Sequence, residues 1–184
     1  MDTQCKATRR ERGTSLIELM LALLVLAIGL IGSVPLICVA ISNNYRSRSD
    51  STSAALAEMI VDQIAAIPVG SSTTTVTIKD CANNSITVNS AGSSTGTGAN
   101  LSGGNVDYTQ SFASVPSGYA IEYTVCGVSN GTQSVYDVRW NVTTVPSGDA
   151  DFVVVGARPL GAGNNPLVFA QPVNVHTVVG NSGN

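Results

Sequence analysis

Arg12-Gly13-Thr14-Ser15-Leu16-Ile17-Glu18 leads directly into LMLALLVLAIGLIGSVPLICVAI, residues 19–41. The second stretch carries no charge over 23 residues. At about 1.5 Å rise per helical residue it is long enough to span a hydrocarbon core of about 30 Å. Leu and Ala favour helix, while Gly29, Gly32 and Pro35 weaken it locally. Such interruptions are tolerated within a membrane when the freed carbonyls find other partners. Ahead of the run, Lys6, Arg9, Arg10 and Arg12 outnumber Asp2 and Glu11. A basic front before an apolar segment keeps the N-terminus on the cytoplasmic side. Glu18 is the anomaly, a carboxylate at the edge of the apolar run. An ionisable group inside a bilayer costs at least about 2.5 kcal/mol, so it normally has a partner or a role; the bland alternative is an interfacial residue reaching the headgroups.

Downstream, Leu56, Met59, Ile60, Ile64 and Ile67 recur at spacings of three and four, with Arg48, Asp50, Glu58 and Asp62 largely off that stripe. This predicts an amphipathic helix over 42–67, ended by Pro68 and Gly70. The composition then changes. TTTVTIK (73–79), SITVN (85–89), YAIEYTVCGV (119–128), QSVYDVRWNVTTV (133–145), DFVVVGA (151–157) and VNVHTVV (173–179) read as strands, rich in Val, Ile, Thr and Tyr between turn-forming residues. Ser129-Asn130-Gly131-Thr132 predicts a hairpin between the third and fourth of them. Residues 90–105, SAGSSTGTGANLSGGN, read as a low-complexity, flexible surface loop. The expected fold is α+β: a long N-terminal helix, transmembrane in its first half and amphipathic in its second, packed on a C-terminal antiparallel sheet. Four cysteines occur. Cys5 and Cys38 belong to the leader and the apolar run, whereas Cys81 and Cys126 belong to the β-rich part. In an exported domain that pair is either a disulfide or two buried thiols. A bridge there would close a loop of about 45 residues, worth roughly 4 kcal/mol on the chain-entropy view.

Only 11% of residues are charged and the net charge is −3. Residues 69–184 hold Lys79, Arg139 and Arg158 against six carboxylates. No basic stripe marks a phosphate-binding surface, so a direct nucleic-acid partner is not expected. His176 is the single histidine, in an expected strand, which argues against a metal centre and leaves no Ser/His/Asp or Cys/His set to assemble. No catalytic residue, cofactor or metal is therefore expected. Asp149 and Asp151 resemble a fragment of a calcium loop but lack the other ligand positions, and read as a turn. The Asn-x-Ser/Thr triplets at Asn83, Asn130 and Asn141 are expected by chance in so polar a sequence. Trp140 and Tyr136 read as core or cross-strand packing.

The segment Arg12–Glu18 with the run behind it resembles the prepilin signal of type IV pilins and type II secretion pseudopilins. That signal is a basic residue and Gly, usually Phe, then Ser or Thr, Leu, Ile and Glu, then a long apolar helix. Gly13 matches the residue before the cut; Ser15, Leu16, Ile17 and Glu18 match the second to fifth positions after it. Thr14 departs from the usual Phe at the first position. The resemblance implies cleavage between Gly13 and Thr14, N-methylation of Thr14, and pairing of Glu18 with the Thr14 amine of a neighbouring subunit during assembly. Pro35 lies where many pilins carry a helix-bending proline. The runs LALLVLAIGLIG and ALAEMIVDQIAAIP most resemble PilV-like minor pilins. The organisation then implied is a leader at 1–13, a transmembrane and assembly helix at 14–41, an amphipathic continuation at 42–68, and a β-rich periplasmic or surface domain at 69–184. The implied partners are other major and minor pilins, a prepilin peptidase and the inner-membrane assembly platform. The implied location is the bacterial inner membrane, then the filament. A minor pseudopilin of a type II secretion system has the same leader and helix, and a binding module at a pilus tip is a further alternative. A secretory signal ending near Cys38-Val39-Ala40, or a lipid on Cys38, would leave Gly13 and Glu18 unexplained.

Overall fold

Helix α1 spans Leu16–Ala65 and takes in both the apolar run and the amphipathic stripe. The computed structural model describes residues 15–126, 134–160 and 171–180. The chain divides into two units, 1–42 and 43–184, with α1 contributing to each.

In the first unit, the large apolar side chains of α1 lie exposed: Leu16, Leu24, Ile31 and Ile37 retain more than half of their surface. By length and composition this stretch can cross a membrane. The helix continues through Pro35. Proline has no N–H, so the carbonyl of Ile31 loses its usual partner four residues on.

In the second unit the same helix turns a face inward. Ser49, Ser53, Leu56, Ala57, Ile60 and Ile64 are buried, at the spacing of one helical side. The helix ends two residues before the expected position. The N–H of Ile67 bonds to the carbonyl of Ile64 at 3.0 Å, a tightened last turn ahead of Pro68. Burial of a side chain such as Ile60 or Ile64 contributes roughly 1.5–3 kcal/mol.

The sheet side begins with a hairpin, β1 (Thr75–Lys79) and β2 (Ser85–Asn89), paired from Thr75 with Asn89 to Lys79 with Ser85. The main sheet centres on β7 (Ser134–Thr144). One edge of β7 pairs with β8 (Ala150–Pro159), which pairs with β9 (Val173–Gly180); all are antiparallel. The other edge is shared by β6 (Ala120–Val125) and the two-residue β3 (Thr97–Gly98). Trp140 stands at their junction. Its N–H bonds to the Tyr119 carbonyl at 3.0 Å, and its carbonyl accepts from Ala99 at 2.8 Å. The β6–β7 pairing agrees with the expected hairpin, whose turn at 129–132 lies outside the described residues. The β7–β8 turn holds Asp149. Asp151, read both as marking that turn and as the first residue of the strand 151–157, lies within β8 as a buried residue.

The sheet is covered on both faces, which is why β7 and β8 are buried along most of their length. Val138, Trp140, Val142, Val153 and Val155, all fully buried, belong to the core that includes Leu56, Ile60 and Ile64. Asp137, Arg139 and Asn141 alternate onto the opposite face. That face is covered by the segment read from sequence as a flexible loop and its continuation. Besides β3, the segment forms β4 (Leu101–Ser102) and β5 (Asn105–Val106), an antiparallel pair. Ala99 is fully buried, with its carbonyl accepting from Asn141 Nδ2 at 2.8 Å. Gly96 and Gly98 have positive φ. A Cβ on Gly98 would strike the Trp140 carbonyl and the Tyr119 ring, so the backbone can approach there only without a side chain.

Candidate assembly helix and the elements that lock the β-rich domain

Within residues 15–42, Glu18 is the single charged side chain. It is exposed in the first turn of α1, where the Ser15 carbonyl accepts from the Glu18 N–H at 2.9 Å and from Leu19 at 3.2 Å. A carboxylate there faces the positive end of the helix dipole. Gly13 and Thr14 lie outside the described residues. Ser33 returns its hydroxyl to the Leu30 carbonyl at 3.0 Å, so its polarity is met within the helix. The segment thus presents an all-apolar surface with one carboxylate at its start. Such a surface is stable only in lipid or against other apolar helices.

Cys81 and Cys126 form a disulfide with Cα atoms 5.3 Å apart. Cys81 follows β1, and Cys126 follows β6. Two hydrogen bonds place them: the Cys81 N–H to the Thr124 carbonyl at 3.1 Å, and the Thr124 N–H to Asp80 Oδ2 at 3.4 Å. Asp80 also organises the β1–β2 turn, accepting from the Asn84 backbone at 2.8 Å and the Asn84 side chain at 2.9 Å. Partial desolvation pushes the Asp80 pKa upward, but the bonds from Asn84 and then Thr124 outweigh it and hold the group below its ordinary value. Asp107 is lowered chiefly by the Thr109 hydroxyl and N–H, at 2.7 and 2.8 Å.

A charged cluster that sequence reasoning missed lies on the far face of the sheet. Arg139 is 2% exposed and donates two hydrogen bonds of 2.8 Å, from Nε and one terminal nitrogen, to both oxygens of Asp137. Its remaining nitrogen donates to the Gln110 carbonyl at 2.6 Å. Arg158, opposite Asp137 on β8, adds contacts of 3.2 and 3.3 Å to the same carboxylate. Both guanidinium groups stack on Tyr108, at 5.0 and 4.3 Å from the ring centre. Burial, and after it the Asp137 charge, raise the Tyr108 pKa. The available signal was Asp137-Val138-Arg139, two opposite charges at strand period within an apolar run. The cluster is saturated with partners and pins residues 108–112 to the sheet.

The tempting residues are placed otherwise. His176 is exposed, 3.2 Å from Asn105 Oδ1 and 6.0 Å from the Phe152 ring centre. Trp140 is fully buried, with its indole N–H donating to the Asn89 carbonyl at 2.8 Å. Asn83 takes a left-handed turn conformation, Asn141 is committed to Ala99, and Asn130 lies outside the described residues. Among the described residues, no group of three or more His, Cys, Asp or Glu side chains is arranged to hold a metal ion.

Residues 8–34 match a family model, the prokaryotic N-terminal methylation motif. No curated protein and no solved structure matches the chain. The motif, continuous with a long apolar helix whose distal half packs on antiparallel sheets, supports a membrane-anchored, type IV pilin-like protein. Within that class the match supports a pilin or pseudopilin, a structural subunit cut by a prepilin peptidase and assembled with other pilins.

Proposed function

We propose that this chain is a minor pilin of a type IV pilus, made as a precursor and built into the filament or used to prime it. The observation that carries the reading is the unbroken succession of Arg12-Gly13, Ser15-Leu16-Ile17-Glu18 and a charge-free helix with exposed side chains. Residues 1–13 are the leader, 14–41 the membrane and assembly segment, 42–68 its amphipathic continuation, and 69–184 the exported domain. Before assembly the N-terminus faces the cytoplasm. Cleavage after Gly13 frees the Thr14 amine, which is methylated. In the filament, Glu18 pairs with the Thr14 ammonium of a neighbour. In an apolar surrounding a misregister would leave a charge unpaired, so the pair selects the register. Pro35 weakens the helix where the filament core can stretch. The resemblance of LALLVLAIGLIG and ALAEMIVDQIAAIP to PilV-like subunits supports the minor role.

Mass spectrometry of the membrane fraction tests the reading. The expected mature chain starts at Thr14 and is one methyl heavier. A start near Ile41, or a lipid on Cys38, would overturn it. Recovery of the chain from sheared surface filaments would support the pilus. Retention in the envelope, with a secretion defect on deletion, would move it to a type II secretion system.

A further inference from the structure

A cavity of about 210 Å³ opens in the exported unit where α1 ends against the β7–β8 turn. Its apolar walls come from Ile64, Ile67, Pro68 and Val179. Ser71, Thr74, Ser90, Thr144 and Asp151 supply its polar side chains, and Thr144 and Asp151 are direct partners across β7 and β8. Asp151 is 8% exposed, and its Oδ1 is buried with no hydrogen-bond partner among the described residues. Most buried carboxylates are compensated, as Asp137 is here by two arginines. Among the described residues, no Lys or Arg lines this cavity. Gly92 lies beside the carboxylate. A Cβ there would meet Thr144 Oγ1 and come within 2.9 Å of Val142 Cγ1 and 3.1 Å of Asp151 Oδ1, so only a glycine lets the backbone pack this close to the carboxylate.

We propose that this cavity is a binding site for a small primary alkylammonium ion. The carboxylate of Asp151 and the hydroxyl of Thr144 receive the ammonium group, and the aliphatic walls receive the chain. A charge-assisted hydrogen bond to the Asp151 carboxylate is about twice as strong as one between neutral groups. The volume exceeds that of a bare cation or one water, whose share of liquid volume is about 30 Å³, and suits a chain of several carbons. A lone carboxylate is a poor site for a divalent ion, which takes several oxygen ligands.

The test uses the detergent-solubilised full chain with n-butylammonium as probe and n-butanol as the uncharged control, read by saturation-transfer NMR. Saturable binding of n-butylammonium, absent for n-butanol, is expected. Asp151→Asn should weaken it by at least about tenfold, the scale of one lost charge-assisted contact. Ser71→Trp, in the cavity lining, should fill the cavity and block the probe while leaving the carboxylate intact, and serves alone if Asp151→Asn does not fold. Equal binding by wild type and Asp151→Asn, undiminished binding by Ser71→Trp, or no saturable binding at tens of millimolar probe would overturn the proposal.

Discussion

At the scale of single residues, two carboxylates stand in opposite situations. Glu18 is exposed on an otherwise uncharged segment, and its counter-charge is proposed to come from another subunit. Glu18→Gln should therefore leave cleavage at Thr14 unchanged and lower incorporation into filaments by at least about tenfold, since an ionic group stranded in an apolar surrounding costs about 2.5 kcal/mol or more. The ratio of filament to membrane-bound protein, measured with mature N-terminus as control, checks this; equal incorporation would remove Glu18 from the assembly mechanism. Asp137 has both of its counter-charges within the fold. Asp137→Ala leaves Arg139 buried and unpaired, and should destabilise the chain by about 3–5 kcal/mol. Denaturant unfolding followed by the fluorescence of Trp140, the single tryptophan, measures it. A loss below about 1 kcal/mol would mean that Arg139 escapes to solvent.

At the scale of elements, local pattern was a good guide wherever local physics decides. The helix stripe at Leu56, Ile60 and Ile64 and the Val- and Thr-rich strands lie close to where periodicity put them, because burial of one face imposes that periodicity. The segment 90–105 is different. Its Gly and Ser content reads as a loop, yet it closes one face of the sheet through contacts made by Ala99 and Gly98 with residues some forty positions later. No short window contains that information. The Asp137–Arg139 cluster was half legible, as alternating charges in β7, but its aromatic cover at Tyr108 comes from the stretch that follows this segment. The glycine accordingly has a sharp requirement. Gly98→Ala forces a Cβ into the Trp140 carbonyl at φ +116° and should cost roughly 1–3 kcal/mol or more. Gly103→Ala, with nothing within 4 Å of the added Cβ and φ +59° in the ordinary left-handed region, gives the cost of a positive φ without a close contact. Equal unfolding midpoints for the two variants would show that the close approach to Trp140 is unimportant.

At the scale of the whole molecule, stability should fall at both ends of the pH range for separate reasons. Asp80 and Asp107 have lowered folded pKa values, so their contribution is present above the unfolded value of about 3.9 and is lost as pH falls through the folded values. Burial raises the pKa of Tyr119, as it does that of Tyr108, so their contribution is present below about pH 10 and is lost as pH rises through the folded values. Circular dichroism of denaturant unfolding across pH checks both limbs; Asp80→Asn should flatten the acid limb and leave the alkaline limb in place. The disulfide has a mechanical side as well. In the proposed filament role the subunit is pulled through its N-terminal helix, and tension travels along the chain toward whatever holds the distal end. The bond between Cys81 and Cys126 short-circuits that path. It withholds the intervening residues, roughly 150 Å of contour at about 3.4 Å per residue, from any extension. The β1–β2 turn, the sheet-covering segment and β6 therefore stay out of the load line even when the outer strands give way.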